Sequence, residues 1–467
     1  MTRPGSDAQP LRVAIVGSGP AGFYAAEKLL KQKDVVVQVD MFDRLPAPFG
    51  LVRFGVAPDH EKIKNVIRVF AKTAEHPNFR FFGNVDVGTH IRLADLKRHY
   101  HQICYTTGAQ TDRRMNIPGE DLERSHPATE FVAWYNGHPE YRDCEFDLSV
   151  ERAAVVGVGN VAVDVARILC RTPEELAGTD IADYAAEALA QSNIKEVYIL
   201  GRRGPVQAKF TNPEIKELGE LAGADIAVLP DEVELDPLSR KELEESDDKS
   251  AAKKIEILQS FVDRPAGGKP KKLTLRFLVS PVEIYGDASG RVTGMRLVKN
   301  ELCVSDDGSL RPRATEKFED LPVDIVFRSV GYLGVPLADL PFHDRWAIVP
   351  NEKGRVIDPE NGKPLPGLYV AGWIKRGPSG VIGTNKPCAA ETVDCMLADL
   401  EAGAILSPEA PDPALAEESV RRAQPDCLCW ADWQCIQELE DAKGKEQGRP
   451  RVKFTTVEEM LAAIGRR

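Results

Sequence analysis

Two stretches of the chain carry glycines at a spacing that handles phosphate. Gly17-Ser18-Gly19-Pro20-Ala21-Gly22 is a complete G-x-G-x-x-G, and Gly157-Val158-Gly159-Asn160-Val161-Ala162 repeats it with Ala in the last position. In this pattern the first glycine makes a tight turn and the second lets backbone approach a pyrophosphate. The third allows close packing of the following helix, whose N-terminus faces the phosphate charge. What comes after each turn differs. Asp43 ends the strand pattern "VQVDMFD", 21 residues beyond Gly22. A carboxylate at that spacing accepts hydrogen bonds from a ribose 2′-OH and repels a 2′-phosphate, which fits FAD or NAD(H). "KEVYILGRRGP" instead puts Arg202 and Arg203 at the end of its strand. Guanidinium groups suit a 2′-phosphate, so the second turn points to NADPH. The alternatives are a glycine turn that only packs and an arginine pair that only meets water. Taken together, the two turns imply a flavoprotein reductase in which NADPH passes hydride to resident FAD.

Three other stretches carry candidate chemistry. Pro46–His60, "PAPFGLVRFGVAPDH", is a Pro/Gly loop ending in His60, and "GRRGPVQAKFTNPEIKEL" runs on to Glu214 and Glu217. "AGWIKRGPSGVIGTNK", Ala371–Lys386, is a glycine-rich turn before the helix pattern "CAAETVDCMLADL". A helix N-terminus there, aimed at a flavin's N1/C2=O edge, would stabilise negative charge on the reduced ring. The nine cysteines include no C-x-x-C pair. Cys427, Cys429 and Cys435 lie together in "CLCWADWQC" with no partner pair at zinc spacing, so no metal is expected. Cys388 and Cys395 read as packing residues.

The elements that must position these residues are legible as alternating β-branched runs and helical patterns. The strand candidates are "RVAIVG", "VVVQVDMF", "AAVVG", "KEVYILG", "DIVFRSVG" and "GLYVAGW". That alternation predicts an α/β fold with parallel sheet. At 467 residues, two or three domains are expected. The late return to glycine-rich strands fits a discontinuous first domain with a second inserted in it. Glu232–Lys254 is dense in charge and reads as a solvated helix or mobile loop. "SPEAPDPALAEES", from Ser407, reads as a linker before a small packing element. A net charge of −12 argues against nucleic acid and anionic membrane as partners. The first ten residues, "MTRPGSDAQP", have neither an apolar core nor an Arg-rich amphipathic pattern, so a cytoplasmic protein is expected.

"GLVRFGVAPDH", "FFGNVDVG", "IPGEDL", "GNVAVDVARIL", "GRRGP…FT", "GWIKRGPSGVIGTNK" and "FVAWYNGHPE" occur in an order that carries a resemblance. The chain resembles the adrenodoxin reductase-like branch of the ferredoxin–NADP reductases, closer to its bacterial members, over nearly its whole length. The resemblance implies two Rossmann-like, glutathione-reductase-type three-layer domains, the NADP domain inserted in the FAD domain. The expected boundaries are 1–108 and 331–406 for the FAD domain, 109–330 for the NADP domain, and 407–467 for a linker and C-terminal packing extension.

The resemblance also implies an enzyme that takes hydride from NADPH and delivers electrons singly to a ferredoxin-type iron–sulfur protein. His60 and Glu217 match the family's catalytic His and Glu, as proton handlers or as a pair that orders the pocket. Gly17, Gly19, Pro20, Ala21, Gly22, Asp43, Leu51, Gly108, Gly372, Trp373, Gly380, Val381 and Ile382 would meet FAD. Gly157, Gly159, Asn160, Val161, Arg202, Arg203, Glu214, Trp373 and Gly380 would meet NADPH, with Glu214 near the nicotinamide amide. The chain departs from the family at Val158, Pro213 and "CYTTGAQTD", none of which removes an expected contact. An acidic ferredoxin on an acidic reductase needs a local basic patch, for which Lys31, Lys216, Arg240 and Lys241 are candidates. Other acceptors, as in a flavin monooxygenase, are the rival reading; a disulfide reductase lacks its dithiol here.

Overall fold

A computed structural model describes residues 4–246, 249–262, 264–265 and 267–466. The chain opens as β1 (Leu11–Val16), six residues buried without alternation, the mark of a strand covered on both faces. β2 (Val37–Phe42), β3 (Phe79–Phe82) and β4 (Gln102–Tyr105) join it in parallel. Arg12 of β1 is buried against Asp40 of β2 at 2.6 Å, and Arg80 of β3 reaches the same carboxylate at 2.7 Å.

The chain then leaves this sheet through β5 (Thr111–Asp112) and builds a second one. β6 (Ser125–Pro127), β7 (Arg152–Val156), β8 (Glu196–Leu200), β9 (Ala224–Val228) and β10 (Lys271–Arg276) precede an antiparallel sheet of β11 (Val279–Gly286), β12 (Val292–Val304) and β13 (Leu310–Leu321). β14 (Ile325–Arg328) completes the second parallel sheet, in the order β6-β14-β7-β8-β10-β9. β15 (Tyr332–Leu333) brings the chain back, pairing antiparallel with β5 through Tyr332↔Asp112 and Leu333↔Thr111. The outward and return crossovers thus run side by side as one narrow ribbon. The first sheet is finished by β16 (Asn351–Glu352), β17 (Arg355–Ile357) and β18 (Pro364–Val370), giving the order β16-β17-β18-β4-β1-β2-β3.

Two sequence expectations change in part. Glu232 is buried, not solvated: Arg276 Nε and the Phe277 amide both donate to its carboxylate. The rest of that stretch holds two helices, Pro237–Glu245 and Lys249–Gln259, while Asp247 and Asp248 lie outside the described residues. The stretch from Ser407 includes a helix, Pro413–Ala423, because Asp412 caps it by accepting from the amides of Ala414 and Leu415. Its Ala416 and Val420 pack into the core under the first sheet.

The residues after this helix bind both sheets. Trp433, on the helix Trp430–Glu446, is fully buried in the first core. Arg53 donates two bonds to Glu440, at 2.8 and 2.6 Å. Beyond it, Lys453 Nζ lies 3.3 Å from Asp180 of the second unit and donates to the carbonyls of Arg53 and Asn136. Lys64, from the first unit, meets the other oxygen of Asp180 at 2.5 Å. Arg451 faces Glu61 at 3.5 Å and Asp180 at 3.9 Å, and Arg449 pairs with Asp183. Three parts of the chain therefore meet in one buried charge cluster. No helix among the described residues is long and apolar enough to cross a membrane.

Candidate functional site

The first glycine turn joins β1 to the helix Pro20–Leu30. Gly17 has φ +105, and a Cβ there would stand 2.8 Å from the Thr106 carbonyl oxygen. A Cβ on Gly22 would fall 2.3 Å from the Gly17 carbonyl oxygen, whereas one on Gly19 would meet nothing within 4 Å. Two glycines are thus fixed by packing and the middle one borders open space. Ala21 is buried behind it, Pro20 starts the helix, and no side chain caps its N-terminus. Asp43 does more than the sequence implied. Its Oδ2 accepts from the Ser18 amide at 2.9 Å and from the Ser18 hydroxyl, and its Oδ1 accepts from Leu45 N.

Two other expected stretches reach this turn, at Gly50 and at Gly372. Gly50 has φ +49, and a Cβ on it would come 3.1 Å from Gly19 Cα, so Leu51 starts at the turn's edge. Gly372, at φ +76, leaves only 2.6 Å between its would-be Cβ and that of Ala21. Gly108 has φ +77 and open space beside it. Trp373 follows Gly372; its indole N–H donates to Ser379 O, and its ring lies 5.5 Å from that of Tyr332 on the ribbon. Gly380 and Val381 are exposed, and Ile382 begins the short 3-10 turn that runs into the helix Asn385–Ala402. Cys388 has a polar role: its Sγ accepts from the Gly372 amide at 3.3 Å.

The second glycine turn, from β7 into the helix Asn160–Cys170, has the same division of labour. Gly157 has φ +142, with only 2.2 Å between a would-be Cβ and Ser329 O, while Gly159 faces open space. Val158 fits because Gly201 leaves room for it; a Cβ on Gly201 would stand 2.7 Å from Val158 Cγ1. Residues after β8 wrap this turn: the amides of Lys209 and Phe210 donate to Val158 O, and Thr211 N donates to Asn160 Oδ1. Val161 follows at the helix start. Arg202 is exposed and Arg203 half-buried, and neither guanidinium has a hydrogen bond or ion pair among the described residues. Burial, then Arg202 and Arg311, pull the Arg203 pKa down against the opposing charge of Glu242.

His60 and Glu217 connect the two units. His60 Nε2 lies 2.9 Å from Glu217 Oε2 and 3.7 Å from Glu214 Oε2. Both glutamates sit on the helix Asn212–Leu218, where Pro213 is accommodated in the first turn. Burial depresses the His60 pKa, but the bond to Glu217 and the charges of Asp164 and Glu214 outweigh it and hold the imidazole above its usual value. The same bond pulls Glu217 down. Burial pushes Glu214 and Asp164 up.

Behind His60 stands Arg167, a residue that sequence reasoning missed. Fully buried, it reaches Asp59 at 2.7 Å, Asp164 at 2.7 Å, Glu214 at 3.2 Å and Glu217 at 3.9 Å. Arg171 adds a second cation to Asp59 at 3.1 Å. The clue was present in "VAVDVARIL": two charges three apart in an otherwise apolar helix must face inward to a partner. Ligand atoms of His60, Glu214 and Glu217 lie within 4.8 Å of one another, a possible metal triad. The Arg167 guanidinium already supplies positive charge to these carboxylates.

Of the basic-patch candidates, Lys31 pairs with Glu27, Lys216 with Glu220 at 3.5 Å and Lys241 with Glu245 at 3.7 Å. Arg240 donates to Leu235 O.

Comparison with known proteins agrees with this geometry. The family model described as pyridine nucleotide-disulphide oxidoreductase matches residues 11–220. The NADPH-ferredoxin reductase FprA of Mycobacterium tuberculosis is 46% identical over 462 residues, covering 97% of this chain and 99% of that one. The mitochondrial NADPH:adrenodoxin oxidoreductase of Arabidopsis thaliana is 40% identical over 466 residues, covering 98% and 96%. The solved structure of M. tuberculosis FprA in complex with NADPH superposes with a TM-score of 0.90 at 44% identity, covering 98% of this chain and all of that one.

Proposed function

The chain belongs to the family of NADPH-ferredoxin and adrenodoxin reductases, and on that premise we propose how its own residues divide the work. It is an FAD-dependent reductase that oxidises NADPH and reduces a ferredoxin-type iron–sulfur protein. Bound FAD supplies the conversion between the electron pair of a nicotinamide and the single electrons of an iron–sulfur acceptor. The residues fit that group: an uncapped helix N-terminus, an open Gly19 and a carboxylate at the turn form a cradle for its pyrophosphate and ribose.

In our reading, residues 1–108 and 331–406 form the FAD unit, 109–330 the NADPH unit, and 407–467 a packing extension. Gly19 and the helix at Pro20 bind the flavin's pyrophosphate; Asp43 fixes the turn through Ser18 and offers its carboxylate to the ribose. Leu51, Gly108, Gly372, Trp373, Gly380, Val381 and Ile382 border the isoalloxazine. Gly159, Asn160 and Val161 bind the NADPH pyrophosphate, Arg202 and Arg203 its 2′-phosphate, and Glu214 its carboxamide. His60 holds a proton at Nε2 against Glu217 beside the nicotinamide. Lys31, Lys216, Arg240 and Lys241 contribute to docking of an acidic ferredoxin, and the enzyme works in the cytoplasm.

The observation that carries this reading is the 2.9 Å bond between His60 and Glu217, which ties an open glycine cradle to a second one served by two unpaired arginines. The test is the visible spectrum under anaerobic addition of NADPH or NADH. Flavin bands that bleach much faster with NADPH, followed by transfer to ferredoxin, are expected. Equal bleaching by both nucleotides would discard the arginine clamp, and a protein that cannot be loaded with FAD would discard the whole assignment.

A further inference from the structure

The arginine turn is held from outside the parallel sheet. Three consecutive carbonyls, those of Gly201, Arg202 and Arg203, each accept a hydrogen bond from the antiparallel sheet or the turn leading into it. Val279 N donates to Gly201 O at 3.0 Å and Leu278 N to Arg203 O at 3.2 Å. The middle carbonyl is taken by a side chain: Asn300 Nδ2 donates to Arg202 O at 2.9 Å and to Ser280 Oγ at 2.8 Å.

The surroundings are built to present that amide. Asn300 is 8% exposed and sits where β12 slips register against β13, between Val298 and Asn300. Such a bulge redirects a side chain out of the regular alternation. Its own N–H is anchored at 2.7 Å to the carbonyl of Leu278, a residue at φ +55. A left-handed leucine is strained unless its neighbours hold it, and here it is bonded on both sides, to Arg203 and to Asn300.

We propose that Asn300 is a positioning residue for nucleotide choice: through the Arg202 carbonyl it fixes the arginine turn against β12, so that both guanidiniums stand ready for a 2′-phosphate. The proposal rests on the clamp reading given above. Asn300 touches no part of the nucleotide; it reduces the freedom that the turn would otherwise lose on binding.

The experiment compares Asn300→Leu with Arg202→Ala and Arg203→Ala in the FAD-loaded enzyme, using ferricyanide as acceptor. Steady-state constants are measured with NADPH and NADH, and inhibition constants with 2′,5′-ADP and with ADP. For Asn300→Leu, the KM for NADPH and the inhibition constant for 2′,5′-ADP should both rise roughly threefold to tenfold, the scale of one buried hydrogen bond. The kcat, the KM for NADH and inhibition by ADP should stay within twofold. If Asn300→Leu does not fold, Asn300→Ser, too short to reach Arg202 O, carries the same expectation. Arginine variants that leave the NADPH/NADH ratio unchanged would overturn the clamp itself. Arginine variants that lower the ratio while the Asn300 variants do not would overturn this inference alone. So would an Asn300 variant that weakens both nucleotides equally, the mark of a merely structural role.

Discussion

Four carboxylates within 4 Å of the single guanidinium of Arg167, with His60 wedged beside them, make this corner a set of opposing charges with little slack. Replacing Arg167 with Met would leave those carboxylates buried without their shared cation. We expect a loss of about 3–5 kcal/mol, measured as the shift in urea unfolding midpoint. His60 is the titrating member. Its folded pKa is raised, so its contribution to stability is complete below its ordinary 6.5 and is lost as pH climbs through the higher folded value. Glu217→Gln removes the charge that holds it there. The ring resonances of His60, followed by NMR across pH, should then titrate at lower pH than in the wild type, and an unmoved titration would refute the pairing. His60, Glu214 and Glu217 were legible in the sequence only through family resemblance. The spacing of Asp164 and Arg167 marks both as inward-facing, but their meeting with Asp59 and His60 was not legible, because nothing in a linear pattern tells which buried charges share a partner across two units.

The two glycine turns are the elements most plainly written in the chain. Gly157→Ala must place a Cβ 2.2 Å from the Ser329 carbonyl at a backbone φ of +142. A cost of about 2 kcal/mol is expected in thermal unfolding, together with a raised KM for NADPH. Gly159→Ala, which meets no atom, should fold normally and lose only nucleotide affinity. Short β-branched runs such as "RVAIVG" and "AAVVG", alternating with helical patterns, pointed to the parallel sheets, and β1 is buried along its whole length because a strand covered on both faces has no reason to alternate. The charged stretch Glu232–Lys254 folds largely as the exposed helix its composition suggested, with Glu232 the clearest exception. Composition counts charges, but a glutamate that accepts from Arg276 and a backbone amide can be buried, although burial still pushes its pKa up. The bulged β12 and its Asn300 left no linear trace, since a one-residue slip is a property of pairing and not of the strand itself.

Across the whole molecule, the cluster around Asp180 couples both sheets to the residues beyond Glu440. Burial, countered in part by Asp180, brings Lys453 down to about 7 from an ordinary 10.5, with Lys64, Arg53 and Arg451 adding like charge. The folded protein therefore binds that proton more weakly than the unfolded chain, and stability should rise with pH between those values, by at most about 1.4 kcal/mol per pH unit. Thermal midpoints at pH 7, 8 and 9 should climb in the wild type relative to Lys453→Met; parallel curves would exclude the effect. On the outer surface, Lys216→Glu should raise the KM for ferredoxin roughly threefold to tenfold at low salt, an effect that fades as salt screens it. The KM for NADPH with ferricyanide should not move, and equal losses in both assays would argue against docking there. The ribbon of β5 and β15 has a different kind of consequence. A unit whose entry and exit are hydrogen-bonded neighbours is a cassette: residues 113–331 can be exchanged for the nucleotide module of another reductase through two adjacent cuts. A graft that omits an equivalent of Asp180 would leave Lys453 and Lys64 without their carboxylate, so the tolerated donors are those that already carry an acid at that position.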